Sequence, residues 1–184
     1  MKSTYALKLS ITGLLIAVGI LIPMVSPLKI VLEPASFTLA SHVAIFIAMF
    51  VSPDVAIAVA IGTTVGFLLG AFPLVIVARA ASHLVFTTAG ALYLKQVGRN
   101  ELTAIRLRLF SLMMALTHGF CEVMAVSVFF FTGAMGTVYY QKGFLTSVLL
   151  LVGLGTVVHS LVDFEIANVV LMALRRQPRL RNMI

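Results

Sequence analysis

Six side chains able to do chemistry lie inside long apolar stretches: Arg79, His83, His118, Glu122, His159 and Asp163. An ionisable group at the centre of such a span costs about 2.5–3.5 kcal/mol on insertion scales, so each one marks a candidate site. Arg79 and His83 are four residues apart and share one face of a helix. Arg79 lies roughly 9 Å inside its segment at about 1.5 Å per residue. A guanidinium offers a planar fork to a carboxylate, and an imidazole beside it supplies a donor or an acceptor to a heteroaromatic ring. The plainer alternative is an ion pair between Arg79 and Glu122 or Asp163. His118 with Glu122, and His159 with Asp163, repeat the same spacing near the middle of two further segments. These pairs would tie two helices together, floor a ligand pocket, or relay a proton. His83, His118 and His159 have the ligand chemistry for zinc with an open position. No H-E-x-x-H motif accompanies them, and the sequence is read as holding no metal, no cofactor and no catalytic group.

The elements that must position these groups are membrane helices. Of the 184 residues 61% are apolar and 10% charged, against about half and a quarter in globular domains. The formal charge of +7 does not point to nucleic acid, because most basic residues cluster at two places beside apolar runs. The lone Cys121 excludes a disulfide framework and reads as a small hydrophobe. The first apolar run is too long for a signal-peptide core and is followed by Pro23 and Pro27 rather than a cleavage site. The expected fold is one all-α membrane domain, 1–184, of six transmembrane helices at about 7–25, 38–51, 54–71, 73–95, 106–131 and 143–172. Segments 96–105 and 132–142 read as polar loops. The second run is short, but six spans with both termini in the cytoplasm put Lys2, Lys8, Lys95, Arg99, Arg106, Arg108, Arg175, Arg176, Arg179 and Arg181 inside. Only Lys29 and Lys142 then lie outside, as the positive-inside rule demands.

Small residues recur at helix-packing spacing: Gly13-x-x-x-Ala17, Ala56-x-x-x-Ala60 and Gly62-x-x-x-Gly66-x-x-x-Gly70. Such stripes let backbones approach closely, within this bundle or against another membrane subunit. The stretch from Pro27 to Phe37, with Glu33 and Pro34, is long enough to cover a pocket as a lid. Phe129, Phe130, Phe131, Tyr139 and Tyr140 gather at the outer end of the fifth segment, as interfacial anchors or as rings for a ligand to stack on.

Taken together, six helices, Gly13-x-x-x-Ala17 on the first, a long loop after it and no ATPase motif resemble the S components of energy-coupling factor (ECF) vitamin transporters. The stretch Pro34-Ala-Ser-Phe-Thr-Leu-Ala-Ser-His42, with Ile45 to Phe50, Ser52-Pro53 and Arg79-Ala-Ala-Ser-His83, is similar to the subgroup for niacin or related small heteroaromatic vitamins. The resemblance implies a multi-pass protein of the bacterial plasma membrane that binds a small water-soluble vitamin near the outer face. Niacin fits an arginine best; pyridoxine, hydroxymethylpyrimidine and pantothenate stay open. Arg79, His83, Phe37, His118, Glu122, His159 and Asp163 would form the binding site. Gly13 and Ala17 would contact a transmembrane coupling subunit, and two separate ATPase subunits would hydrolyse ATP, which fits the absence of a G-x-x-x-x-G-K-[ST] loop. Family members carry alanines at the helix-one motif, so Gly13 departs from the pattern. A self-sufficient proton-coupled carrier using the His/carboxylate pairs, and an intramembrane zinc hydrolase, are the competing functions.

Overall fold

The computed structural model of the chain describes residues 2–32, 35–98 and 102–178. Glu33, Pro34, Arg99, Arg179 and Arg181, all used in the sequence reading, lie outside them. The described chain is a helical bundle with one small hairpin. Its elements are α1 (Lys2–Val25), β1 (Lys29–Leu32), β2 (Ala35–Thr38), α2 (Val43–Val51), α3 (Pro53–Leu69), α4 (Leu74–Val97) and α5 (Ala104–Phe131). There follow α6 (Thr137–Phe144), a π-helical segment (Leu145–Leu154) and α7 (Gly155–Leu174). Among the described residues four stretches are long and apolar enough to cross a membrane: Tyr5–Val25, Leu74–Val97, Ala104–Phe131 and Thr137–Leu174.

The second segment is helical over less of its length than expected. The segment expected as a helix over 38–51 is helical only over Val43–Val51. At 1.5 Å per residue nine residues rise about 13.5 Å, under half of a bilayer core of about 30 Å. All nine are 7% exposed or less, so α2 faces protein on every side. Its Phe46 and Phe50 meet Phe86, Phe110 and Phe164 from α4, α5 and α7 at 5.2–6.4 Å between ring centres. The helix ends at Ser52, and Pro53 opens α3, where its missing N–H costs nothing.

The lid region forms a two-stranded antiparallel hairpin, β1–β2, with Lys29 opposite Thr38 and Ile30 opposite Phe37. The expected polar loop at 132–142 is also corrected, because α6 begins inside it. Gly143, at φ 74°, breaks the chain between α6 and the long run that follows. That run, expected over 143–172, is continuous helix of π and then α type over 145–174.

α1 packs on α3 through glycines. A Cβ on Gly62 or Gly66 would lie 2.6 Å or 2.2 Å from the side chains of Ile16 and Ile20, so this stripe works inside the bundle. Lys8 pairs with Asp54 at 2.6 Å, fixing the start of α1 to the start of α3. Arg108 pairs with Glu165 between α5 and α7, and Arg175 lies 6.0 Å over the Phe50 ring.

Candidate functional site

All four histidines of the chain meet at the start of α2. His42, just before α2, has its ring centre 4.9 Å from His83 of α4, 4.6 Å from His118 of α5 and 5.1 Å from His159 of α7. Each of these three contacts is edge-on. The fourth-helix and fifth-helix rings are themselves 4.8 Å apart, and Phe86 stacks on His118 at 4.4 Å.

Two buried carboxylates hold the rings. Glu122 divides its oxygens: Oε2 accepts from Arg79 at 2.8 Å and from Thr156 at 2.5 Å. Its Oε1 faces His83 Nε2 at 3.3 Å and His118 Nε2 at 3.5 Å. Asp163 accepts the backbone N–H of Ala40 at 2.7 Å and of His42 at 2.9 Å, and lies 3.1 Å from His42 Nδ1. It thereby satisfies the free amides at the entrance to α2, a job usually done by a capping side chain close in sequence. His159 Nε2 sits between Asp163, at 3.2 Å, and Ser41 Oγ, at 3.0 Å. Ala40 needs that help. Its φ of 68° is a left-handed conformation costing an alanine on the order of 1–3 kcal/mol.

A cavity of about 90 Å³ opens beside this cluster, lined by Arg79, His83, Glu122, His42, His159 and Phe37 among others. One water needs only about 10–15 Å³ by this kind of measure, so a small ring-sized molecule is the natural scale. Ile45, Phe67 and Ile76 supply apolar surface beside these polar groups. Phe37 closes it from the hairpin, 5.5 Å from the His159 ring and tight against Gly155, where a Cβ would lie 2.5 Å from its Cζ.

The chain is 38% identical over 166 residues to the niacin transporter NiaX of Lactococcus lactis subsp. cremoris, covering 90% of this chain and 73% of that protein. The chain belongs to the NiaX family of ECF S components. It is thus a multi-pass cell-membrane protein and a transport subunit rather than an enzyme. No family model and no solved structure matches it.

In this NiaX-family chain Arg79, His83, Glu122, His159 and Phe37 line one cavity. His118 and Asp163 are fully buried behind it and reach the cavity only through their neighbours. The Arg79–Glu122 ion pair weighed as the plainer alternative is present. The zinc-type set His83, His118 and His159 does not come together as one set: His159 groups with His42 and Asp163, while His83 and His118 group with His42 and Glu122. His42 is the residue that sequence reasoning left out, although it closed the quoted stretch ending Ala-Ser-His42. The signal was a histidine directly before a nine-residue apolar run. Tyr140 donates its hydroxyl to the Phe130 carbonyl at 3.1 Å, and Phe130 packs on Tyr140 and Phe144 at 4.9 and 5.4 Å. That aromatic group holds α5 to α6 and does not line the cavity.

Gly13 and Ala17 are both exposed on α1, and nothing lies within 4 Å of where a Gly13 Cβ would be. This face of α1 is used by no other described part of the bundle.

Proposed function

We propose that this S component captures nicotinic acid, or a heteroaromatic acid of its size, in the cavity beside the histidine cluster, and hands it to an ATP-driven transport complex. The observation that carries the reading is a guanidinium at a ring-sized cavity, in a chain 38% identical to a niacin transporter over nine-tenths of its length. Arg79 would fork onto the carboxylate, and His83 or His159 would meet the ring nitrogen as its tautomer allows. Phe37 would cover the ring as part of the hairpin. The open face at Gly13 and Ala17 would receive the transmembrane coupling subunit, and two ATPase subunits would supply the energy.

The proposed topology is six crossings with both termini in the cytoplasm, in which α2 and the irregular chain before it together make the second crossing. With Cys121 replaced by Ser, single cysteines at positions 95 and 176 should label only from the inner side, and one at 142 only from the outer. Outer labelling at 95 would reject this topology. For the substrate, mass spectrometry of the small molecule that copurifies with the detergent-extracted protein should find nicotinate, and calorimetry should then show saturable nicotinate binding. A different copurifying vitamin, with no heat from nicotinate, would refute the assignment.

A further inference from the structure

We propose that His42, His83, His118 and Glu122 form a site for one divalent transition-metal ion of the zinc type. One ligand-capable atom from each of these four residues lies within 4.8 Å of all the others. Three imidazoles and one carboxylate are the donor set that zinc takes at about 2.0–2.2 Å.

The distances around Glu122 suit a shared ion as well as the long hydrogen bond from His83. A charge-assisted N–H···O bond runs about 2.7–2.9 Å. The Glu122 Oε1 separations of 3.3 Å to His83 Nε2 and 3.5 Å to His118 Nε2 are longer. They match the edge of a tetrahedron with bonds of about 2.05 Å, which is roughly 3.3 Å. His118 gives a second sign. It is fully buried, and its Nε2 has no hydrogen-bond partner, a condition native interiors rarely leave without a ligand, water or ion.

The surroundings have the outer layer that metal ligands require. His42 has its Nδ1 3.1 Å from the Asp163 carboxylate, which frees Nε2 as the ligand atom. His118 has its Nδ1 3.3 Å from Ser160 Oγ. Glu122 has its far oxygen held by Arg79 and Thr156, leaving Oε1 for the ion. His42, His83 and Glu122 also line the cavity, so an ion bound there would present a coordination position to whatever occupies it.

Charge gives the ion a purpose, and this part rests on the nicotinate reading. With neutral imidazoles the cluster sets one guanidinium, Arg79, against two carboxylates, Glu122 and Asp163, a net charge of 1 − 2 = −1. An anion entering such a site is repelled. A divalent ion reverses the sign to +1 and makes the same cavity receptive to a carboxylate.

The test uses detergent-purified chain without a polyhistidine tag, stripped with a chelator and titrated with Co²⁺ and then Zn²⁺. The expected result is one Co²⁺ per chain, with the intense visible absorption of low-coordinate cobalt, displaced by zinc. His118→Ala and Glu122→Gln should weaken uptake by at least about a hundredfold. Ser160→Ala, which removes only the hydroxyl facing His118 Nδ1, should weaken it about ten- to a hundredfold. Cys121→Ser should leave uptake unchanged. Wild-type protein that takes up no stoichiometric Co²⁺ overturns the site, as does uptake unaffected by Glu122→Gln in folded protein. Nicotinate binding measured before and after stripping separates the two readings. Equal binding with no metal uptake overturns the metal site alone, whereas metal uptake with no nicotinate binding upholds the site and overturns the substrate.

Discussion

Replacing Arg79 tests the site twice, because the guanidinium has a partner in the fold and a proposed partner in the ligand. In the fold it pairs with Glu122, whose side chain is 2% exposed. Removing one member of a buried ion pair costs about 3–5 kcal/mol. Arg79 itself keeps 17% of its side chain exposed, which favours the lower end, about 3 kcal/mol. For a domain of this size 1 kcal/mol moves the Tm by about 2–4 °C, so Arg79→Ala should lower it by roughly 6–12 °C. Arg79→Ala combined with Glu122→Gln should recover most of that loss, since no uncompensated charge remains. The ligand arm is read by calorimetry. One charge-assisted hydrogen bond is worth about 1.5–3 kcal/mol, which at about 1.4 kcal/mol per decade is a roughly ten- to hundredfold loss of nicotinate affinity. Arg79→Lys should recover little of it, because an ammonium lacks the planar fork. Nicotinamide, which has no carboxylate for Arg79 to hold, should bind wild type weakly and lose little more in Arg79→Ala. If nicotinate and nicotinamide lose affinity equally, Arg79 acts only by holding Glu122 and the direct contact is refuted.

Three further outcomes follow from the packing. Gly155→Val places carbon where the Phe37 ring lies; overpacking of about 1–3 kcal/mol should push the hairpin away and weaken nicotinate binding by roughly tenfold in calorimetry, and unchanged affinity would detach Phe37 from the site. Asp163→Asn keeps an acceptor for Ala40 but turns an amide N–H₂ toward the His42 N–H, so thermal melting should fall by an amount equivalent to about 1.5–3 kcal/mol; no shift would show that α2 is held by other contacts. Gly13→Leu or Ala17→Leu fills an open face of α1, so transport by the assembled complex should collapse while nicotinate affinity of the isolated chain stays within about twofold, well under 1.4 kcal/mol; parallel loss of both would place the motif inside the bundle.

Spacing made much of this arrangement legible. Residues four apart on long apolar helices put Arg79 with His83, and His118 with Glu122, on common faces, and the structure brings those faces together. The Gly62 and Gly66 stripe likewise meets Ile16 and Ile20 as close packing requires. What could not be read is what depends on chain reversal. Ala40 takes a positive φ, a conformation its residue type argues against, so the apolar run before residue 51 looked like one longer helix. His42 lay at the end of that hidden turn, where helical periodicity has nothing to say. Asp163 was legible as a partner for His159, but not as the cap of a helix start 121 residues away in sequence. The helix at Thr137–Phe144 was masked by Gly136 and Gly143 at its ends, which read as loop composition.

The Asp163 cap also has a consequence in time. The turn from Thr38 to His42 is irregular backbone in a membrane protein, tolerable only where its amides are shielded from lipid and satisfied. The group that satisfies Ala40 arrives 123 residues later. At a synthesis rate of about 5–20 residues per second, the ribosome takes roughly 6–25 s to deliver it. Throughout that interval the first half of the chain cannot settle in its final form, because the turn's amides still need water or the insertion machinery as partners. The histidine cluster is therefore completed last, by the arrival of α7, and a chain stalled before Gly155 carries most of the cluster's side chains without the acceptor that holds the turn bearing His42 in place.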